Sequence, residues 1–141
     1  MKTSFTKEDL NTREAIGVVI YDDERKVLIQ DHVKLDFFTI PIGKIKEGEE
    51  IEEVIKQEVF DETNLKILSY RKIGEKIGEY DYDGVMIRIK THIFEVLEYE
   101  GKLINKEEKK HRSMRFMDTG EIRGLSKISD ATKYFLSTLD I

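Results

Sequence analysis

The hydrophobic and polar positions of this sequence repeat with two different periods, and the changes of period divide the chain into strands and helices. Residues 15–21 are apolar on both faces and rich in β-branched side chains, which predicts a central strand. Acidic residues 22–24 predict a turn, and residues 26–32 are expected to return as the second strand of a hairpin. Residues 37–40 then lead into a loop at 41–44.

The pattern becomes helical over residues 50–63, and Asn64 follows as a left-handed stop. Residues 66–72 and 85–96 predict further strands, residues 98–112 a charged loop, and residues 115–117 a short extended segment. Ser129 and Asp130 predict the cap of a last helix that reaches Leu139. This order predicts a mixed α/β fold, with helices covering a partly antiparallel sheet.

Length and composition narrow the classes of protein. The 141 residues suit one domain, and 39% hydrophobic residues interspersed with 38% charged residues exclude general disorder. A net charge of −5 disfavours stable binding to a nucleic-acid polymer, and the absence of cysteine excludes disulfides and thiolate metal sites. No stretch is apolar enough to predict a signal peptide or a membrane span, so we expect a soluble cytoplasmic protein.

Acidic residues fall on the apolar face of the helix predicted at residues 50–63. On a helical wheel, Glu58 and Glu62 lie within the arc of Ile55 and Val59, and Asp61 lies at the edge of that arc. Burying two carboxylates one turn apart is unfavourable unless a cation meets them. A hard divalent cation such as Mg²⁺ would meet them, and so would buried lysine or arginine side chains. The wheel alone also allows a solvated acidic face.

The loop before this helix favours the metal. Residues 43–49 carry glycines at both Gly43 and Gly48, which let backbone N–H groups approach an anion closely. The N-terminus of the following helix adds a favourable dipole. A glycine loop that leads into an inward acidic cluster is typical of a site for a phosphate and a metal ion.

These residues resemble the signature of the Nudix hydrolase family. That signature is Gly-x5-Glu-x7-Arg-Glu-U-x-Glu-Glu-x-Gly-U, where U is a bulky aliphatic residue, and here it spans residues 43–65. The residues that match it are Gly43, Glu49, Glu58, Val59, Glu62 and Leu65. The resemblance implies a single Nudix-like domain over residues 1–141, folded as an α/β/α sandwich with a mixed sheet between helices.

The chain departs from the signature at three positions. Asp61 replaces a glutamate, which keeps an oxygen ligand on a shorter arm. Asn64 replaces a glycine at the left-handed position, where asparagine is the next best residue. Gln57 replaces the arginine that orients the catalytic glutamates in the family, so a hydrogen-bonding group stands where the family has a charge. Metal affinity or rate is expected to suffer most from this third change.

The resemblance also implies roles for individual residues. Glu58 and Glu62 resemble the principal ligands of Mg²⁺ or Mn²⁺, and Asp61 and Glu49 resemble supporting carboxylates. The Gly43 backbone would hold the loop against the metal. The catalytic set is thus Glu58, Glu62 and Glu49, and the metal set is Glu58, Asp61, Glu62 and Gly43. Lys44, which follows the first glycine, is a candidate for substrate binding.

Other candidates lie outside the signature. Family members often recruit a further base from a late loop, where this chain offers Glu98, Glu100, Glu107, Glu108 and His111, any of which could equally be a solvated loop residue. Arg88, Lys90 and His92 alternate along one strand face. They could bind substrate phosphates, or they could form the solvated face of that strand.

The predicted function is Mg²⁺-dependent hydrolysis of the diphosphate linkage in a nucleoside diphosphate joined to another moiety. The alternative is a non-catalytic Nudix-like domain that binds a nucleotide or a sugar diphosphate, which Gln57 favours and the acidic cluster disfavours. A purely acidic scaffold protein would leave Glu58 and Glu62 unexplained. The resemblance also slightly favours dinucleoside polyphosphates as substrates, because family members that hydrolyse them tend to carry a tyrosine beyond the signature, in about the region of Tyr80 and Tyr82. The expected partner is a small phosphorylated molecule, with a homodimer among the assemblies that the sequence allows.

Overall fold

The computed structural model describes residues 12–82 and 84–140, and this part of the chain forms seven strands and three helices. In chain order the elements are β1 (Thr12–Val19), β2 (Val27–His32), β3 (Phe37–Thr39), β4 (Ile42–Ile45), α1 (Ile51–Thr63), β5 (Lys66–Tyr82), β6 (Val85–Glu100), β7 (His111–Met117), α2 (Thr119–Arg123) and α3 (Asp130–Thr138). In the described part, no helix is long and apolar enough to cross a membrane.

The strands form two sheets. The larger has the order β4-β1-β6-β5, in which β1 runs parallel to β6 and antiparallel to β4, and β5 and β6 pair antiparallel. The smaller has the order β3-β2-β7 and is antiparallel throughout. A mixed sheet covered by helices confirms the predicted α/β fold.

Two apolar cores lie on opposite faces of the strands, because β1 and β2 point alternate side chains to each side. One core joins α1 to β1 through Val54, Ile55 and Val59 packed with Ile16 and Val18. The other joins α3 to the same strands, and its members include Val19, Ile29, Ile93, Phe135 and Leu136. The strands are therefore sandwiched between helices, and α1 is held rigidly against the sheet.

The hairpin predicted between residues 15–21 and 26–32 is wrong beyond its turn. The turn forms, since the Asp22 side chain accepts hydrogen bonds from the backbone N–H groups of Glu24 and Lys26. Pairing then stops after the single bridge between Tyr21 and Val27, and β2 joins the other sheet. Both edges of β1 are already occupied by β4 and β6, so no edge remains for β2.

Several predicted boundaries also need correction. Residues 41–44 are not all loop, because Ile42–Ile45 is strand β4 and pairs with β1. The loop predicted at 98–112 is shorter, since β6 continues to Glu100 and β7 begins at His111. Strand β5 extends to Tyr82, well beyond residue 72, because it pairs with β6 along almost its whole length. Helix α2 was not predicted, although Asp118 and Glu121 form a reciprocal capping box there.

The helix that carries the acidic residues agrees with prediction. It spans Ile51–Thr63, and Asn64 ends it in the left-handed region with φ 68°, donating its N–H to the Phe60 carbonyl. The terminal helix is capped as expected, because the Ser129 side chain accepts from the Thr132 N–H. Local sequence thus determines both helix ends.

Candidate active site

Helix α1 directs one of its carboxylates into the protein. Glu62 is only 2% exposed, and it lies among Ile55 and Val59 on the packed side of the helix. Glu58, one turn earlier, is half-buried, whereas Asp61 is exposed. The predicted inward placement of Glu58 and Glu62 is therefore confirmed, and the edge position of Asp61 turns it to solvent.

The buried Glu62 carboxylate has only partial compensation for its charge. Gln30 donates from Nε2 to Glu62 Oε1 at 2.9 Å. Lys110 Nζ lies 3.9 Å from Oε2, and His111 Nε2 lies 4.0 Å from Oε1. Burial raises the pKa of Glu62 to about 8; the Gln30 bond opposes this rise, and the neighbouring Glu58 adds to it. The group is thus poised to accept a cation that would stabilise its ionised form.

The segment between β6 and β7 is attached to the end of α1, which explains how Lys110 and His111 reach Glu62. Ile104 and Lys106 donate their backbone N–H groups to the carbonyls of Thr63 and Glu62, at 2.9 and 3.1 Å. Lys106 Nζ also lies 4.0 Å from the centroid of the Phe60 ring. This cation–π contact partly shields Phe60, which is 41% exposed. The backbone carbonyls of these last two residues of α1 therefore accept hydrogen bonds from this segment.

Buried polar atoms without hydrogen-bond partners gather around Glu62. Among the described residues these atoms are Gln30 Oε1, His111 Nδ1 and Asn105 Oδ1. The Asn105 amide donates to the His111 carbonyl, so all three residues belong to one group. Burial lowers the pKa of His111 to about 4, with contributions from His32 and Lys110, and its imidazole is therefore neutral. Buried groups of this kind normally have partners, and their clustering here indicates a place that a ligand completes.

Gly43 lies against Glu58 and has room only for a hydrogen. A Cβ atom at this position would fall 3.0 Å from Glu58 Cγ and 3.3 Å from Oε2. Gly43 is held there because β4 pairs with β1, where it lies opposite Ile16. The sheet thus brings a bare stretch of backbone next to the carboxylate of α1.

The remaining residues of the predicted metal and catalytic sets point elsewhere. Asp61 accepts a hydrogen bond of 2.7 Å from Gln57 Nε2 on the exposed side of α1. Glu49 accepts one of 2.7 Å from the backbone N–H of Lys46 and closes the turn before the helix. Lys44 is exposed. Within residues 12–82 and 84–140, no three histidine, aspartate or glutamate side chains come close enough together to hold a metal ion.

The basic residues of β6 are engaged in ion pairs. Arg88 Nη2 lies 3.7 Å from Glu79 Oε2, and Lys90 Nζ lies 3.4 Å from Glu75 Oε2. Lys90 shares its sheet face with His92, which is opposite Ile16 and thus on the side of α1. Lys90 and His92 therefore lie on the sheet face that α1 covers, and Arg88 and Lys90 are each partnered within the sheet.

The candidate bases of the late loop separate into two groups. His111 contacts Glu62 directly, and Glu107 lies 3.6 Å from Lys110 and raises the pKa of Glu62. Glu98 and Glu100 are instead part of β6 and face the start of β5. Glu108 is exposed. Only the first group is brought to the carboxylates of α1.

Gln30 and Lys110 are site residues that sequence reasoning missed. Gln30 is fully buried in β2, but it follows three apolar residues and precedes Asp31 and His32, so in the sequence it resembles the polar end of a strand. Lys110 lies in a highly charged segment, where nothing distinguishes it from its neighbours. The side chains of Tyr80 and Tyr82 lie outside the described residues.

The arrangement fits a hard divalent cation held by few protein ligands. Glu58 and Glu62 offer carboxylate oxygens from one face of α1, and the Gly43 backbone lies against the first of them. Mg²⁺ is usually bound through one or two carboxylates and retains several waters, so a set of three carboxylates is not required. The incompletely compensated charge of Glu62 is the feature that a cation would neutralise.

Comparisons with known proteins agree with this geometry. The family model of the NUDIX domain matches residues 11–139. An 8-oxo-dGTP diphosphatase from Buchnera aphidicola subsp. Schizaphis graminum (strain Sg) is 31% identical over 100 residues, which cover 68% of this chain and 71% of that protein.

Solved structures show the same fold. A MutT NUDIX hydrolase from Burkholderia pseudomallei superposes with a TM-score of 0.75 at 15% identity, over 89% of this chain and 96% of that one. A MutT protein from Bacillus halodurans gives 0.72 at 19% identity, over 89% and 80% of the two chains.

Proposed function

The chain belongs to the Nudix hydrolase family, and we propose that it cleaves the diphosphate linkage of a nucleoside diphosphate derivative with the help of Mg²⁺ or Mn²⁺. The observation that carries this proposal is the buried Glu62 carboxylate beside Glu58, with its pKa raised to about 8. A domain with a merely structural helix has no reason to bury an incompletely paired acid.

The proposed ligands of the cation are Glu58, Glu62 and the backbone at Gly43. The bound cation would neutralise the diphosphate and supply an activated water for attack at phosphorus. Gln30 orients the Glu62 carboxylate through its hydrogen bond of 2.9 Å. His111 is neutral and lies 4.0 Å from Glu62, and its Nδ1, which has no partner among the described residues, could form a hydrogen bond with substrate or water. Asp61 and Glu49 would support the site only after leaving their present partners.

The named relative suggests the first substrates to test. Because that relative is called an 8-oxo-dGTP diphosphatase, oxidised purine nucleoside triphosphates are the leading candidates. Dinucleoside polyphosphates come next, followed by ADP-ribose and nucleotide sugars. All of these carry the linkage that the proposed cation would neutralise, so one panel covers the substrate class.

The test is hydrolysis of this panel by the purified protein with Mg²⁺ or Mn²⁺, followed by chromatography of the products. We expect at least one compound to be cleaved at its diphosphate bond, with no cleavage after chelation of the metal. Glu52→Gln is a matched control, since Glu52 lies on the same helix, is exposed and pairs with Lys56 at 3.3 Å. Glu62→Gln should remove turnover and Glu52→Gln should retain it. Binding of the compounds without any cleavage would instead support a non-catalytic binding domain.

A further inference from the structure

The ammonium group of Lys110 lies between two carboxylates, those of Glu62 and Glu107, at the edge of the site. Its Nζ lies 3.9 Å from Glu62 Oε2 and 3.6 Å from Glu107 Oε1. The side chain of Lys110 is 51% exposed, whereas that of Glu62 is 3% exposed. Lys110 is therefore a half-exposed charge at the edge of the site, next to a carboxylate that is buried inside it.

The backbone of Lys110 is anchored, so this proximity is a property of the fold. Its carbonyl accepts a hydrogen bond of 2.8 Å from the N–H of Val33, just beyond β2. Its own N–H donates to the Glu107 carbonyl at 2.9 Å. The Cα is thus fixed beside the site, while the four-carbon side chain keeps its freedom to turn between partners.

A divalent cation at Glu62 would conflict with this arrangement. The ammonium of Lys110 and the cation would both be attracted to the same carboxylate and would repel each other across a short distance. Binding of the cation therefore requires Lys110 to move outward. An ion pair with Glu107 alone would hold the displaced ammonium only weakly, because the Glu107 side chain is partly solvated. An anionic substrate bound at the same place would hold the ammonium more strongly.

We propose that Lys110 competes with the divalent cation for Glu62 and, once displaced, binds the diphosphate of the substrate. Cation and diphosphate would then bind cooperatively, since each removes the obstacle to the other. This inference rests on the proposed function only in placing the cation at Glu58 and Glu62. On this proposal, a protein with a net charge of −5 would bind an anion at its acidic site once the metal is present.

The experiment measures binding without turnover. The dissociation constant of Mn²⁺ is determined by calorimetry, alone and with saturating methylenediphosphonate, whose bridging carbon prevents hydrolysis. The variants are Lys110→Gln, which removes the charge, and Lys110→Arg, which keeps it. Lys109→Gln is the matched control, because it removes the same charge from the adjacent exposed position. Thermal unfolding confirms that each variant is folded.

We expect Lys110→Gln to bind Mn²⁺ alone about tenfold more tightly than the wild type, which corresponds to ~1.4 kcal/mol. Methylenediphosphonate should tighten Mn²⁺ binding about tenfold in the wild type and less than threefold in Lys110→Gln. Lys110→Arg should retain most of the coupling. Lys109→Gln should change the Mn²⁺ affinity less than twofold, since Lys109 is exposed and its charge is screened by solvent.

Several outcomes would overturn the inference. They are an unchanged Mn²⁺ affinity in Lys110→Gln, equal effects of the two lysine substitutions, undiminished coupling in Lys110→Gln, or no measurable Mn²⁺ binding by the wild type. The proposed function fails separately. If the affinities change as expected while no diphosphate compound is cleaved, the role of Lys110 stands and the hydrolase proposal does not.

Discussion

The two sides of helix α1 carry the same kind of residue in opposite environments. On the outward side, Glu52 is paired with Lys56 and Asp61 with Gln57, and all of these side chains are exposed. On the inward side, Glu62 is 2% exposed. Its carboxylate accepts one hydrogen bond from the neutral amide of Gln30, and the side chains of Lys110 and His111 lie farther away, at 3.9 and 4.0 Å. The outward acids are satisfied, whereas Glu62 is not.

This difference distinguishes acids that support the helix from the acid that we propose as a metal ligand. An exposed i,i+4 ion pair contributes only about 0.3–0.5 kcal/mol to stability, so the outward residues can change at little cost. A buried carboxylate with a pKa raised from 4.5 to about 8 lowers the stability of the metal-free protein progressively as the pH rises from 4.5 towards 8. A residue that destabilises its own fold is a candidate for a role in binding or catalysis.

The largest expected effect is that of Glu62→Gln. Loss of a charged ligand in a phosphoryl-transfer site should lower the metal-dependent rate about 1,000-fold or more, equivalent to ~4 kcal/mol. The same change removes an unfavourable buried charge and keeps an amide that can bond Gln30, so the melting temperature should stay the same or rise. Steady-state kinetics and thermal unfolding test the two parts together.

The outward side supplies the contrast for that experiment. Glu52→Gln should keep the rate within about twofold and lower stability by no more than ~0.5 kcal/mol. If Glu62→Gln instead lowered stability and left the rate near normal, the inward carboxylate would be structural and the contrast between the two sides would be lost.

A second effect is expected at Gly43, which touches the inward side. In Gly43→Ala the new methyl group would fall 3.0 Å from Glu58 Cγ and push the carboxylate aside. A displacement of this kind can lower a rate by about 10- to 100-fold, while the fold changes little. Gly124→Ala is the control, because its Cβ would come no closer than 3.5 Å to the Glu121 carbonyl. Equal kinetics for Gly43→Ala and wild type would show that contact with Glu58 does not matter.

A third effect concerns pH and the metal-free protein. The pKa of Glu62 is raised from 4.5 to about 8, so the folded state binds more protons than the unfolded state between these values, and stability falls as the pH rises. The pKa of His111 is lowered from 6.5 to about 4, so its contribution is lost as the pH falls below 6.5. Between pH 6.5 and 8 the fall from Glu62, at about 1 kcal/mol per pH unit, outweighs the remaining gain from His111, which fades as the unfolded imidazole becomes neutral.

The measurement is thermal unfolding in a chelating buffer over this range. The melting temperature of the wild type should fall between pH 6.5 and 8, and the slope should disappear in Glu62→Gln. Added Mg²⁺ should stabilise the wild type more at pH 8 than at pH 6.5, because it favours the ionised carboxylate. A melting temperature of the wild type that does not change with pH over this range would contradict the raised pKa of Glu62.

The smallest effect is expected at Gln57, on the outward side. Gln57→Arg would replace the neutral amide donor with a guanidinium, which can form an ion pair and a two-pronged hydrogen bond with the Asp61 carboxylate. We expect kcat to rise about two- to fivefold with little change in KM, because the residue acts on the helix carboxylates rather than on substrate. A wild-type enzyme slowed by this change would contradict the view that the glutamine weakens catalysis.

Local chemistry accounts for what the sequence alone could predict of the fold. The bounds of α1 follow from its hydrophobic period and from Asn64, whose left-handed conformation ends the helix. Ser129 gives the start of α3 in the same way. The partnership of β2 could not be predicted, because it depends on β4 and β6 occupying both edges of β1, and those are contacts between residues far apart in sequence.

The same distinction holds in the site. The inward positions of Glu58 and Glu62 follow from helical periodicity, which is local. The proximity of Gln30 and Lys110 to Glu62 requires one strand and one loop to meet at the end of α1, and no spacing along the chain encodes this. Glu49 matches the signature and Asp61 replaces one of its glutamates, but both have other partners in the structure, since hydrogen bonds to the Lys46 backbone and to Gln57 satisfy them.

The most direct test of the central claim is a crystal structure of the wild type with Mn²⁺ and methylenediphosphonate, in which the anomalous signal of manganese locates the ion. We predict a manganese ion bound by Glu58 and Glu62 beside the Gly43 backbone, with the diphosphonate contacting the ion. Manganese on the outward side of α1, at Asp61 or Glu52, with Glu62 still bonded only to Gln30, would contradict the assignment of the inward side as the active site.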